Sequence, residues 1–388
     1  MLADTFAKFD PTRVPSPCFV VDEIAVERNL KILSQVQRES GAKVLAALKA
    51  FSMWELAPLV ARYLSGTCAS GLYEALLGSQ EYGGETHVFS AAYKEKDLRE
   101  ILAVADHVVF NSFAQWQRFQ ALINAAKSER LDLHFALRIN PEHSEGEVEI
   151  YDPCAPRSRL GIPLAEFQGQ SLRGISGLHF HTLCEQGLEP LRRTLAAVEQ
   201  RFGEYFAQLE YVNFGGGHHI TAPDYDVQGL IDTVKDFSRR HAVQVYLEPG
   251  EAVAIRTGVL VAEVLDIVRN GGDIAILDTS ATCHMPDTLE MPYKAGIFGA
   301  ADAGEKSFNY RLGGMTCLAG DVMGDYSFDT PLAVGQRLMF DDMSHYTMVK
   351  TTTFNGIALP AIALWNSKTD AIKLVREFNY ADFKQRLS

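Results

Sequence analysis

The chain has 388 residues, 47% of them hydrophobic and 22% charged, which at ~100–200 residues per domain implies about two domains with a large core. That balance excludes disordered, collagenous and disulfide-scaffold chains. Basic residues number 36 against 49 acidic, a net charge of −13, and no Lys/Arg cluster tracks a phosphate backbone, so nucleic acid is not an expected partner.

The start of the chain carries Asp4, Lys8, Asp10 and Arg13 without an apolar signal core, and no stretch of ~18 apolar residues follows. A cytoplasmic protein with no membrane partner is expected. Cys18, Cys68, Cys154, Cys184, Cys283 and Cys317 lie far apart with no C-x-x-C pair, which predicts free thiols and no zinc.

Short apolar, β-branched runs bounded by Gly, Asp or Asn recur at 44–48, 66–69, 87–90, 107–110, 133–139, 175–181, 211–214 and 243–247. Helical patterns lie between most of them. In one, Ser112 and Gln115 form a capping box ahead of Trp116, Phe119, Ile123 and Ala126, spaced by three or four residues. Eight buried strands alternating with helices over ~250 residues predict a (β/α)₈ barrel, an α/β fold. A doubly wound sheet is the alternative, although no G-x-G-x-x-G opens a helix after the first strand. After Gly250 the pattern changes to strands with little helix between them, at 259–268, 274–278, 310–312, 337–340 and 346–352. The expected organisation is a barrel over 16–255 and a C-terminal all-β domain over 256–388, joined by residues 1–15.

Active sites of such barrels gather at the C-terminal strand ends. Lys49 closes the first run, where a desolvated lysine becomes an amine nucleophile or Schiff base; a surface lysine at a strand end is the alternative. His179 and His181 close the sixth run on one side of the strand. An H-x-H pair suits a metal, but metal-dependent barrel hydrolases carry it on the first strand, so none is expected here. Gly215, Gly216 and Gly217 follow the seventh run and offer unobstructed backbone N–H groups to a phosphate, or a tight turn. Glu248-Pro249-Gly250-Glu251 ends the eighth, placing a carboxylate at the barrel mouth. In the β domain, 313–321 combines glycines, the Cys317 thiol and the Asp321 carboxylate.

In this combination and order, the chain resembles the fold type III pyridoxal-phosphate decarboxylases. Its longer strings are most similar to the carboxynorspermidine/carboxyspermidine decarboxylase branch. These are A-L-K-A-F at 47–51, H-F-H-T-L-C-E at 179–185, N-F-G-G-G-H-H at 213–219, L-E-P-G-E at 247–251, L-D-T-S-A-T-C-H-M-P-D at 277–287 and H-Y-T-M-V-K-T-T-T-F-N-G at 345–356. The resemblance implies pyridoxal 5'-phosphate as cofactor, bound covalently by Lys49, stacked on His181, held at its phosphate by Gly215, Gly216 and Gly217, and paired at its ring nitrogen with Glu248. It also implies a homodimer with shared active sites, in which Cys317 of the second subunit is the proton donor and Tyr346 lies near the phosphate. Glu251 stands where the wider superfamily has E-P-G-R, and an acid there favours a cationic carboxylated polyamine over diaminopimelate. Glu251, Asp287 and Asp321 are the expected substrate-binding acids. Another decarboxylase or racemase of this type, a metal-dependent barrel hydrolase and a catalytically silent cofactor-binding barrel are the alternatives.

Overall fold

Strand β1 (Cys18–Asp22) precedes eight parallel strands that close into a barrel in chain order: β2 (Lys43–Ala47), β3 (Gly66–Ala69), β4 (Glu85–Phe89), β5 (His107–Phe110), β6 (His134–Arg138), β7 (Gly177–His179), β8 (Tyr211–Asn213) and β9 (Gln244–Leu247). Closure is made by β2 pairing with β9, Lys43 opposite Tyr246 and Val44 opposite Leu247. Alternation sends Leu45, Val109, Ala136, Tyr211 and Tyr246 into the barrel interior, where they pack on one another. This computed structural model describes residues 4–146 and 148–388.

The outer helices form for local reasons that the sequence states. Asp226 caps Val227–His241 by accepting from Gly229 N–H, Arg239, Arg240 and His241 occupy its last turn, and Ala242 ends it in a left-handed conformation at φ 53°. Its buried stripe is Leu230, Ile231, Val234 and Phe237; burial of each such side chain contributes ~1.5–3 kcal/mol. Ser112 caps the helix Phe113–Arg118 through Gln115 N–H, but the expected capping box is half made, because the Gln115 side chain donates to Ala91 O; Phe119 then leaves helical geometry and a second helix, Gln120–Glu129, carries the pattern on.

The chain divides into two compact units, Glu27–Val253 and a second made of the chain up to Val26 with Ala254–Ser388. The second unit is built on one sheet in the order β12-β14-β13-β11-β10-β1-β16-β17, with β15 beside β10. Its further strands are β10 (Gly258–Arg269), β11 (Asp273–Leu277), β12 (Ala300–Asp302), β13 (Phe308–Gly313), β14 (Val322–Phe328), β15 (Arg337–Asp341), β16 (Ala361–Asn366) and β17 (Ala371–Arg376). Period-two alternation splits β10 between two cores: Leu260, Ala262 and Val264 enter one, Val259 and Val261 the other.

Two sequence expectations need correction. Residues 16–22 do not belong with the barrel, because β1 pairs with β10 and β16, and Cys18 and Val20 bury in the sheet's core. The strand expected over 346–352 is a turn. Tyr346 takes a φ of 42°, and its carbonyl accepts from Val349 and Lys350 N–H, so the apolar residues there satisfy their backbone locally rather than in a ladder. No helix among the described residues is long and apolar enough to cross a membrane.

Candidate active site

The C-terminal ends of the barrel strands bring Lys49, Arg138, His179, His181, Asn213 and Glu248 together. Lys49 lies in the turn after β2, with Nζ 3.2 Å from His181 Nε2. On its other side the His181 ring accepts from Gly216 N–H at Nδ1, 3.1 Å. Nδ1 also lies 3.2 Å from Gly216 O. Burial pushes the Lys49 ammonium below its ordinary range, and burial, followed by Lys49 and Arg138, holds His181 far below its own. The lowered ammonium favours an uncharged amine at Lys49, the form able to act as a nucleophile.

Glu248, immediately after β9, accepts from Asn213 Nδ2 at 2.7 Å and lies 3.3 Å from His179 Nε2. Burial alone raises its carboxyl, yet His179 and Asn213 outweigh burial, so Glu248 stays ionised. Burial meanwhile lowers His179, which is therefore a neutral donor to the carboxylate rather than its counter-ion. Cys68, bonded to the same carboxylate, is raised by burial first and Glu248 second, and remains a thiol.

The triplet 215–217 must be glycine here. Gly215 and Gly217 have φ of 68° and 86°, and a Cβ on Gly216 or Gly217 would sit 2.1 Å from Glu248 O or 1.8 Å from Leu183 O. Gly215 and Gly216 N–H are taken by Asn213 Oδ1 and His181 Nδ1. That leaves Gly217 N–H as the amide of the three without a hydrogen-bond partner among the described residues. A nucleophilic amine, an ionised carboxylate without a fixed cation and a glycine wall that no side chain can enter fit a ring-and-phosphate aldehyde cofactor.

Glu251 starts the next turn of helix, 3.2 Å from His219 Nε2. An imidazole of the same unit thus already faces the acid at this position.

The remaining sequence-predicted residues belong to the second unit. Cys317 is exposed, and Tyr346 sits in the turn described above. Asp287 is bonded by Lys350, which also reaches Glu290. Asp321 is buried, and Ser280, Thr282 and Thr316 of its own unit donate to its two carboxylate oxygens.

Sequence reasoning missed Arg138, Asn213 and Lys350. Arg138 is buried over the Phe89 ring, 4.5 Å from its centroid, and donates to His181 O at 2.9 Å. An arginine closing the apolar run Phe135-Ala136-Leu137 was the available signal. Asn213 and Lys350 stand inside quoted strings, but only the folded chain shows which carboxylates they serve.

The family profile described as "Pyridoxal-dependent decarboxylase, C-terminal sheet domain" matches residues 18–344. A carboxynorspermidine/carboxyspermidine decarboxylase of Campylobacter jejuni subsp. jejuni is 44% identical over 96% of this chain and 99% of its own length. A carboxyaminopropylagmatine decarboxylase of Synechocystis sp. is 43% identical over 96% of each chain. The solved structure of carboxynorspermidine decarboxylase complexed with norspermidine, from Campylobacter jejuni, superposes with a TM-score of 0.88 at 43% identity, covering 96% of this chain and 100% of that one. With that profile matched over most of its length and a 44% identical relative covered almost end to end, the chain belongs to the pyridoxal-dependent decarboxylases.

Proposed function

We propose that this enzyme decarboxylates a carboxylated polyamine, carboxynorspermidine or carboxyspermidine, releasing norspermidine or spermidine. The observation that carries the substrate is the near full-length likeness to a structure complexed with norspermidine, the amine left when carboxynorspermidine loses CO₂. Bound at the barrel mouth, pyridoxal phosphate supplies a conjugated ring that takes up the electron pair left on the substrate carbon as CO₂ departs. Lys49 binds the cofactor through its uncharged amine. Glu248, ionised and oriented by Asn213 and His179, holds a proton at the ring nitrogen. His181 covers one ring face. Gly217 N–H and the wall formed with Gly215 and Gly216 hold the phosphate, with Tyr346 beside it. Cys317 delivers a proton to the substrate carbon from the second copy of a homodimer, a role its exposed thiol supports. Glu251 and Asp287 take the substrate's ammonium groups, which replace His219 and Lys350 as their partners.

The Synechocystis relative, at almost the same identity, favours a second reading in which the distal group is a guanidinium, as in carboxyaminopropylagmatine. Purified protein supplied with pyridoxal phosphate is offered each of the three compounds and diaminopimelate, with CO₂ and amine product measured. Greater kcat/KM on a carboxylated triamine supports the first reading; greater kcat/KM on carboxyaminopropylagmatine installs the second, and preference for diaminopimelate overturns both.

A further inference from the structure

The loop that presents Cys317 is flanked by Met315 and Leu318, exposed at 44% and 46%, so apolar packing does not fix it. Polar anchors do. Asp321, only 4% exposed, accepts from Thr316 Oγ1 at 2.7 Å and Thr316 N–H at 3.1 Å on the residue next to the thiol. The same carboxylate accepts from Ser280 Oγ at 2.9 Å and Thr282 N–H at 3.2 Å, tying the loop to the segment that follows β11. Its backbone closes the loop, since Gly314 N–H donates to Asp321 O and Asp321 N–H to Leu318 O, each at 2.9 Å. A Cβ on Gly314 would lie 2.4 Å from Asp321 Oδ2, so the carboxylate needs glycine there. Cys317 itself is held by its own N–H, which donates to Asn355 Oδ1 at 2.7 Å. Asn355 has a φ of 58°, the left-handed region that asparagine enters more readily than other side-chain-bearing residues.

We propose that Asp321 and Asn355 are positioning residues for the Cys317 thiol, clamping the loop on either side so that the proton reaches the carbon that has lost CO₂. This rests on the proposed role of Cys317 as donor. In the normal step the bond to the carboxyl carbon breaks and its electron pair stays on the substrate carbon and cofactor. The S–H bond then breaks, a C–H bond forms, and the thiolate regains a proton from water. If the thiol is misplaced, water protonates the cofactor's own carbon instead. Hydrolysis then releases an aldehyde and leaves the cofactor as pyridoxamine phosphate, so CO₂ exceeds amine.

That excess is the measurement, because partial unfolding lowers CO₂ and amine equally. Asn355→Gly keeps the left-handed backbone and removes the anchor; Asp321→Asn keeps shape and removes charge. Both are expected to retain the absorbance of bound cofactor, lose kcat roughly 10- to 100-fold with little change in KM, and release CO₂ in excess of amine. Asn355→Asp, which restores the acceptor, returns the ratio toward one. Should Asp321→Asn not fold, Thr316→Val loosens the same joint and must uncouple as well. Cys317→Ala, run in parallel, separates the two claims. If it uncouples while Asn355→Gly and Thr316→Val stay at one CO₂ per amine, the positioning inference is overturned. A ratio of one in Cys317→Ala removes the donor role and the inference with it.

Discussion

Asn213 and Glu248 stand at the ends of neighbouring barrel strands with the Asn213 amide 2.7 Å from Glu248 Oε1, and that amide and His179 keep a largely buried carboxylate ionised. In the proposed function the pair acts on the cofactor's ring nitrogen. Glu248→Gln keeps the shape and removes the charge, so the cofactor still binds Lys49 while kcat falls by about 10²–10³-fold, the usual loss when one preorganised electrostatic group is removed. Asn213→Asp places a second carboxylate against Glu248 and is expected to lower kcat as well. Parallel titration of cofactor absorbance and CO₂ release checks both, and loss of cofactor binding in Glu248→Gln would show a structural role instead.

Lys49→Ala is expected to abolish covalent attachment. Borohydride treatment of the holoenzyme followed by tryptic mapping places the pyridoxyl group on the peptide containing Lys49. Its appearance on another lysine refutes the assignment.

The barrel was legible because its strands are short apolar runs with clear boundaries; runs 66–69 and 107–110 match β3 and β5 end to end. The β unit was less so. Strands β14, β16 and β17 mix polar and apolar residues, and β17 exposes Ala371, Lys373, Leu374 and Arg376, so alternation is weak where one face meets water. β1 is apolar and five residues long, like a barrel strand, and only its pairing with β10 assigns it to the sheet. Single site residues at strand ends could be read from order along the chain. Partnerships such as Lys350 with Asp287 are separated by 63 residues, and no local signal encodes them.

At the opposite end of the barrel, His87, His107 and His134 occupy one cross-strand row, with ring centroids 3.8 and 4.7 Å apart. Glu85, Lys43, Tyr211 and Tyr246 face them. Burial pushes His107 down to about 2; the Glu85 carboxyl, raised by burial, is brought to about 2 by His87 and Lys43. Below pH ~6.5 the unfolded chain therefore takes up a proton that folded His107 refuses, and below ~4.5 the same holds for Glu85. Stability is full above pH ~7 and falls with acid, by about 1.4 kcal/mol per pH unit from His107. His107→Phe should flatten the fall of Tm between pH 6.5 and 5 and leave the steeper loss below pH 4.5. An unchanged slope would count against His107 as its source.

If each site draws Lys49 from one chain and Cys317 from the other, two inactive variants complement. Lys49→Ala and Cys317→Ala protomers exchanged at random give half heterodimers, each with one intact site of two, so about a quarter of wild-type activity returns. No recovery after exchange shown by native mass spectrometry excludes the shared site.

Glu251 and Asp287 carry the substrate claim, and each already has a partner: the His219 imidazole at 3.2 Å for Glu251 and the Lys350 ammonium for Asp287. A substrate ammonium must compete with these partners. A charge-assisted hydrogen bond contributes ~1.5–3 kcal/mol, so Glu251→Gln and Asp287→Asn should each lower kcat/KM on the carboxylated triamine by roughly 10- to 150-fold. A truncated substrate lacking the distal amine should lose less, and the absorbance of bound cofactor should not change. Lys350 discriminates between competition and support. If Lys350 holds the place of the ammonium, Lys350→Met frees Asp287 and lowers KM for the full substrate while leaving KM for the truncated one unaltered. If Lys350 instead aims the carboxylate, the same substitution raises KM for the full substrate. Equal losses on full and truncated substrates in Glu251→Gln and Asp287→Asn would mean that these acids serve folding or the cofactor, and the charge argument for a polyamine would lose its basis in this site.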